Sequence, residues 1–208
     1  MTEAEWLGCT KPDLMLEFLR DKPSDRKLRL FACACCRRVW HVLTDERSRT
    51  AVGLVEQLAD GTVEQNVLQN VLKGPNQPRG PIAALCMREA WDAAEMAALF
   101  TAGLVLHVPP SDGSYEAERT AQCSLIRDIF GNPIRPAYLH THRLRKNKGR
   151  TLNIAHTIYD NRAFDRLPIL ADALEDAGCD NADMLAHCRQ PGEHVRGCWV
   201  IDLLLGKK

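Results

Sequence analysis

Leu28, Phe31, Ala32, Cys35, Val39, Val42 and Leu43 recur three and four positions apart. That spacing lines one face of an α-helix, whereas a half-buried strand needs an apolar residue at every second position. The same period returns at Leu14, Met15, Phe18 and Leu19, at Ala51, Val55 and Leu58, at Val63, Val67, Leu68, Val71 and Leu72, and at Ala121, Leu125, Ile129 and Phe130. No stretch alternates in the way a strand requires. Proline and glycine interrupt the pattern often, so most of the helices are short. The fold class expected is all-α, a single multi-helix domain of about nine or ten short helices. A chain of 208 residues is long enough to bury one core. A subdivision into closely packed helical halves, 1–108 and 114–208, is the variant of that reading.

Local signals place the helix ends. Thr10 caps a helix with Pro12 in its first turn, and Ser24 starts the next, in which Arg29, Cys33 and Arg37 share a more exposed stripe. Thr44 caps a third helix that Gly61 follows, and Thr62 with Gln65 forms a capping box for a fourth. The run 74–81, GPNQPRGP, is a loop. Pro81 opens one long alanine-rich helix to Leu106, and Ser114 caps another that runs to Phe130 before Gly131-Asn132-Pro133. Thr151 caps a helix through Tyr159. Pro168 opens one that Gly178 ends, and Asp180 caps one that runs to Arg189. After the break at 190–193, the segment from His194 to Leu205 is too apolar to be left in water.

Composition narrows the function classes. With 27 basic and 27 acidic residues, the chain carries no global charge suited to coating nucleic acid, and no acidic tail. Its start has no basic and then apolar signal region, and Arg88, Glu89, Asp92 and Glu95 interrupt the one apolar candidate for a membrane span, 82–108. The 9 cysteines are an odd count, better read as thiols of a cytoplasmic protein than as a disulfide framework.

The chain contains no glycine-rich phosphate loop, no H-E-x-x-H and no G-x-S-x-G, so no catalytic residue is assigned. Cys33, Cys35, Cys36 and His41 resemble a nucleophile cluster only in sequence. Adjacent helical positions point about 100° apart, which makes these cysteines core residues. The leading expectation is a non-enzymatic helical module that binds another protein or regulates it, with Arg29, Arg37 and Arg38 as contacts. The alternative is nucleic-acid binding through the basic stretch Arg143, Arg145, Lys146, Lys148 and Arg150 by counterion release. A structural zinc ion would accompany it, held by Cys179, Cys188, His194 and Cys198. Their spacing, C-x8-C-x5-H-x3-C, is that of CCCH zinc fingers with the last two ligand types exchanged, and zinc accepts such mixtures. Without that ion no cofactor is expected.

Two long stretches carry a family likeness: EFLRDKPSDRKLRLFACACCRRVWHVLTDERSR, and LIRDIFGNPIRP together with IYDNRAFDRLPILADALEDAGCDNADMLAHCRQPGEHVRGCWVIDLLLGKK. They resemble a family of helical bacterial proteins, abundant in planctomycete-type genomes, to which no activity is assigned. LADALEDAGC is similar to the LADWLEE-type helical motif of repeat-companion proteins in those genomes. The basic stretch Leu139 to Arg150 lies outside the resemblance, which therefore implies a helical fold but no shared phosphate-binding role.

Overall fold

The structure is a computed structural model that describes residues 1–20, 22, 24–72, 79–105, 115–138 and 148–208, with the backbone alone at 71, 72 and 148. Among the described residues there are twelve α-helices and no strand. They are α1 (Glu3–Gly8), α2 (Pro12–Leu19), α3 (Asp25–Arg38), α4 (Glu46–Ala59), α5 (Gln65–Leu72), α6 (Pro81–Leu85), α7 (Ala90–Val105), α8 (Tyr115–Phe130), α9 (Lys148–Asn161), α10 (Leu167–Asp176), α11 (Ala182–Arg189) and α12 (Trp199–Leu205), with a 3-10 turn at Phe164–Arg166. The chain is all-α, as the apolar spacing requires. None of the described helices is long and apolar enough to cross a membrane. Two compact units divide it, 1–127 and 128–208.

In the first unit α3 is the central element, packed against α4, α6 and α7. Every residue from Leu28 to Cys36 is buried, so the exposed stripe expected at Arg29 and Cys33 does not exist. The cause is that α3 is covered on more than one side, and tertiary packing overrides a one-sided pattern. α7 can come close because Ala90, Ala93, Ala94, Ala97, Ala98 and Ala102 are its buried residues, together with Thr101.

The long helix expected from Pro81 is broken between α6 and α7. At the break the Arg29 guanidinium donates to the Met87 carbonyl at 3.2 Å and to the Arg88 carbonyl. Carbonyls released by a helix end need donors, and a buried arginine supplies them.

Among the caps expected at Thr10, Ser24, Thr44 and Thr62, Ser24 is where the sequence places it, and the others are displaced or replaced. Ser24 accepts from the Lys27 N–H and caps α3. Asp45, one residue past Thr44, caps α4 by accepting from Ser48 at 2.8 Å. Lys11 occupies the N-cap of α2 without a side-chain bond, so Thr10 is not its cap. The Thr62 hydroxyl donates back to the Gln57 carbonyl at 3.0 Å and so closes the end of α4, in place of the capping box expected for α5. Ser114 lies outside the described residues.

In the second unit α9, α10, α11 and α12 surround a core that includes Ile158, Leu167, Leu170, Leu174, Met184, Cys188, Cys198 and Ile201. α10 has Pro168 in its first turn and ends as its sequence requires. The Cys179 N–H reaches the Leu174 carbonyl at 2.9 Å and the Gly178 N–H reaches Glu175 at 2.8 Å, with Gly178 at φ 90°. This is the Schellman pairing, and the left-handed residue is a glycine because a Cβ is disfavoured there. Asn181, one residue past Asp180, caps α11 by accepting from the Met184 N–H at 3.1 Å. Thr151 lies inside α9, not at its start, and its buried hydroxyl donates to the Ala173 carbonyl at 3.3 Å.

Candidate metal centre

Asp128 lies in the last turn of α8, at the negative end of the helix dipole, and is only 3% exposed. A carboxylate there is doubly disfavoured, by the dipole and by desolvation, so its partners must compensate. Its Oδ2 accepts the Val195 N–H at 2.9 Å. Oδ1 is thereby turned toward two imidazoles, His194 Nδ1 at 2.6 Å and His187 Nε2 at 3.0 Å. His187 Nε2 also lies 3.3 Å from Cys198 Sγ.

Each group is delivered by a different local device. His187 sits in the last turn of α11, which Gln190 ends with extended backbone ahead of Pro191. His194 lies on the connection between α11 and α12, and Cys198 occupies the N-cap of α12 with φ −45° and ψ 124°. One donor atom from each of Asp128, His187, His194 and Cys198 falls within 4.8 Å of every other. For comparison, bonds of 2.0–2.3 Å in a zinc tetrahedron imply donor separations of about 3.3–3.6 Å. Small side-chain movements therefore accommodate an ion, and the cluster is able to chelate a metal.

The electrostatics agree with the geometry. Burial pushes the Asp128 carboxyl up, but the hydrogen bonds and charges of His187 and His194 outweigh it and hold the group below its ordinary value. Burial lowers His194, and the Asp128 carboxylate overcomes this and raises it. Burial, reinforced by the Asp128 charge, pushes the Cys198 thiol well up. A bare thiolate is unfavourable here, whereas a bound cation would reverse the balance.

The arrangement is not that of a thiol hydrolase. In such a relay the base uses one ring nitrogen for the nucleophile and the other for the orienting group. Here both Cys198 and Asp128 lie against the same nitrogen of His187, and the thiol is 0% exposed. Convergence on one point suits an ion, not a proton relay. Cys36 and His41 form no alternative centre. Cys36 is buried with its thiol toward the Pro81 carbonyl and its pKa raised by desolvation, while His41 is exposed.

Of the four ligands expected from spacing, His194 and Cys198 belong to the convergent set, and Cys179 and Cys188 do not. Cys179 follows the glycine that ends α10 and packs, partly buried, against the apolar core. Cys188 is buried in that core, one helical position and about 100° round α11 from His187. Desolvation, with Asp128 and Cys179 adding to it, pushes its thiol up to about 12. His187 and Asp128 stand in their places. His187 had a local signal, since it neighbours Cys188 and only the helix phase separates them. Asp128 had none, because no spacing rule links it to residues so far along the chain.

The three arginines considered as protein contacts have internal partners. Arg29 holds the α6–α7 break. Arg37 makes a two-pronged pair with Glu56 at 2.7 and 2.9 Å, and Arg38 does the same with Glu118 at 2.9 Å. Within the basic stretch, Arg143, Arg145 and Lys146 lie outside the described residues, Lys148 is the first residue of α9, and Arg150 is exposed.

Comparison of the chain with protein-family models, with curated proteins and with solved structures finds no match in any of the three. The site must therefore be read from its own chemistry.

Proposed function

We propose that the second unit is a helical module built around a structural zinc ion, with Asp128, His187, His194 and Cys198 as its ligands, and that it serves binding, not catalysis. The convergence of four donors, each under 10% exposed in its side chain or as a whole residue, carries the reading. Two nitrogens, one oxygen and one sulfur suit a borderline divalent ion, and four protein ligands leave no position for a water or substrate. Such a site contributes to folding and supplies no reacting group. It also ties the end of α8 to the α11–α12 region, segments that the chain separates widely.

The partner we propose is nucleic acid, met through Arg143, Arg145, Lys146, Lys148 and Arg150. Two observations support this over the protein-contact reading: Arg150 is exposed at the start of α9, and Arg29, Arg37 and Arg38 are already held by internal acceptors. Elemental analysis of freshly purified protein tests the metal, with about one zinc per chain expected for a four-ligand site. Titration with single- and double-stranded oligonucleotides tests the partner. Five phosphate contacts give a slope of log K against log salt of about −4, and neutralising the five residues flattens it. No affinity at low salt would remove nucleic acid as the partner and leave the metal module standing.

A further inference from the structure

We infer that Gln190 is a positioning residue of the metal centre: its side-chain amide lies against His187 Nδ1 and, with its carbonyl oxygen turned to that nitrogen, sets the tautomer in which Nε2 is free to ligate. The inference rests on the reading of His187 as a ligand. His187 Nε2 is the nitrogen that faces Asp128 at 3.0 Å and Cys198 at 3.3 Å, so it is the nitrogen an ion would take. A neutral imidazole has one N–H and one lone pair. If Nε2 gives its lone pair to the ion, the proton must sit on Nδ1, and that N–H needs an acceptor.

The Gln190 amide lies 3.1 Å from Nδ1. It reaches back one turn from a well-held position. The Gln190 N–H closes α11 on the Ala186 carbonyl at 2.9 Å, and Pro191 follows. An amide offers either a donor or an acceptor at this place, depending on how it is turned. In the structure its nitrogen is toward the ring, which matches a proton on His187 Nε2 shared with Asp128 or Cys198. When an ion takes the Nε2 lone pair, the single proton of the neutral ring moves from Nε2 to Nδ1, and the amide turns its carbonyl oxygen to accept it. Ligating histidines are ordinarily held in this way through the nitrogen that does not bind.

The test compares the full chain with Gln190→Leu and Gln190→Glu, using zinc and cobalt(II) titrations against a competing chelator and the nitrogen chemical shifts of His187. Wild type is expected to bind both ions with His187 protonated at Nδ1. Gln190→Leu should weaken binding about 10–100-fold and lose the single tautomer, while Gln190→Glu, which retains an acceptor, should stay much closer to wild type. Far-ultraviolet circular dichroism of the metal-free variants should match wild type, since the side chain is at an exposed helix end. Equal metal affinity in wild type and Gln190→Leu overturns the role of Gln190 and leaves the four-ligand site intact. Equal losses in Gln190→Leu and Gln190→Glu overturn it also. Failure of wild type to bind either ion overturns the four-ligand reading itself, and the role of Gln190 with it.

Discussion

His187 Nε2 lies 3.3 Å from Cys198 Sγ, although His187 is in the last turn of α11 and Cys198 is the N-cap of α12. With Asp128 Oδ1 3.0 Å from the same nitrogen, the pair defines a point toward which donors of three kinds are aimed. Replacing His187 or Cys198 by alanine removes a ligand, so both variants should lose stoichiometric zinc while Cys179→Ala retains it. Inductively coupled plasma analysis after gel filtration reads the difference. Retention of zinc in Cys198→Ala would contradict the site.

Metal removal should lower stability. An ion that binds only the folded chain contributes about 2.7 kcal/mol when its free concentration is 100 times its Kd. Thermal melts of the protein with and without a strong chelator should therefore differ by several degrees. A melting temperature that does not move on chelation, in protein shown to carry zinc, would rule out a structural ion.

The metal-free protein has a pH window of its own. Asp128 is lowered on folding, so its contribution is present above its unfolded pKa near ~3.9 and is lost as pH falls through the folded value. His194 is raised on folding, so its contribution is complete below its unfolded pKa near ~6.5 and is lost as pH rises through the folded value. Stability from this pair should peak between roughly pH 4 and pH 6.5 and decline on both sides. With zinc the alkaline decline should disappear, because metal replaces the proton on His194, and only acid should release the ion. Chemical denaturation at intervals from acid to mildly alkaline pH, with and without zinc, checks both statements.

Arg38 and Glu118 form a two-pronged pair in which the glutamate side chain is 6% exposed and the arginine 25%. Removing the arginine leaves a buried carboxylate without its partner. Arg38→Ala should cost roughly 2–4 kcal/mol, somewhat below the value for a fully buried pair because the arginine is partly solvated. The double replacement Arg38→Met with Glu118→Leu should recover most of the loss. Urea denaturation of the three proteins forms the check, and a double variant no better than Arg38→Ala would refute the explanation.

Gly131 ends α8 at φ 66°, and a Cβ placed on it would come within 3.2 Å of the Trp199 ring. Alanine is disfavoured there by backbone and by contact, at a position three residues from Asp128. Gly131→Ala should destabilise by roughly 1–2 kcal/mol. It should also weaken metal binding, because the indole packs 5.1 Å from the His187 ring. Unchanged zinc affinity in a measurably destabilised Gly131→Ala would separate the glycine from the centre.

The helical character of the chain is legible in its sequence. Apolar spacing, Pro12 and Pro168 in first turns, Ser24 as a cap and Gly178 as a left-handed end are local properties, decided within a turn or two of chain. So is the concentration of cysteine and histidine near the C-terminal end, where spacing singles out His194 and Cys198 among the candidate ligands. Three features depend on the tertiary structure. The helix from Pro81 is broken where Arg29, far away in sequence, offers donors to the freed carbonyls. α3 is buried on both of its stripes because helices cover it from several directions. The convergent donor cluster contains Asp128 and His187 in place of Cys179 and Cys188, since helix phase turns Cys188 into the core and only folding brings the end of α8 to the α11–α12 turn. Local spacing records which side chains can share a face, and convergence between distant segments depends on packing that no single segment encodes.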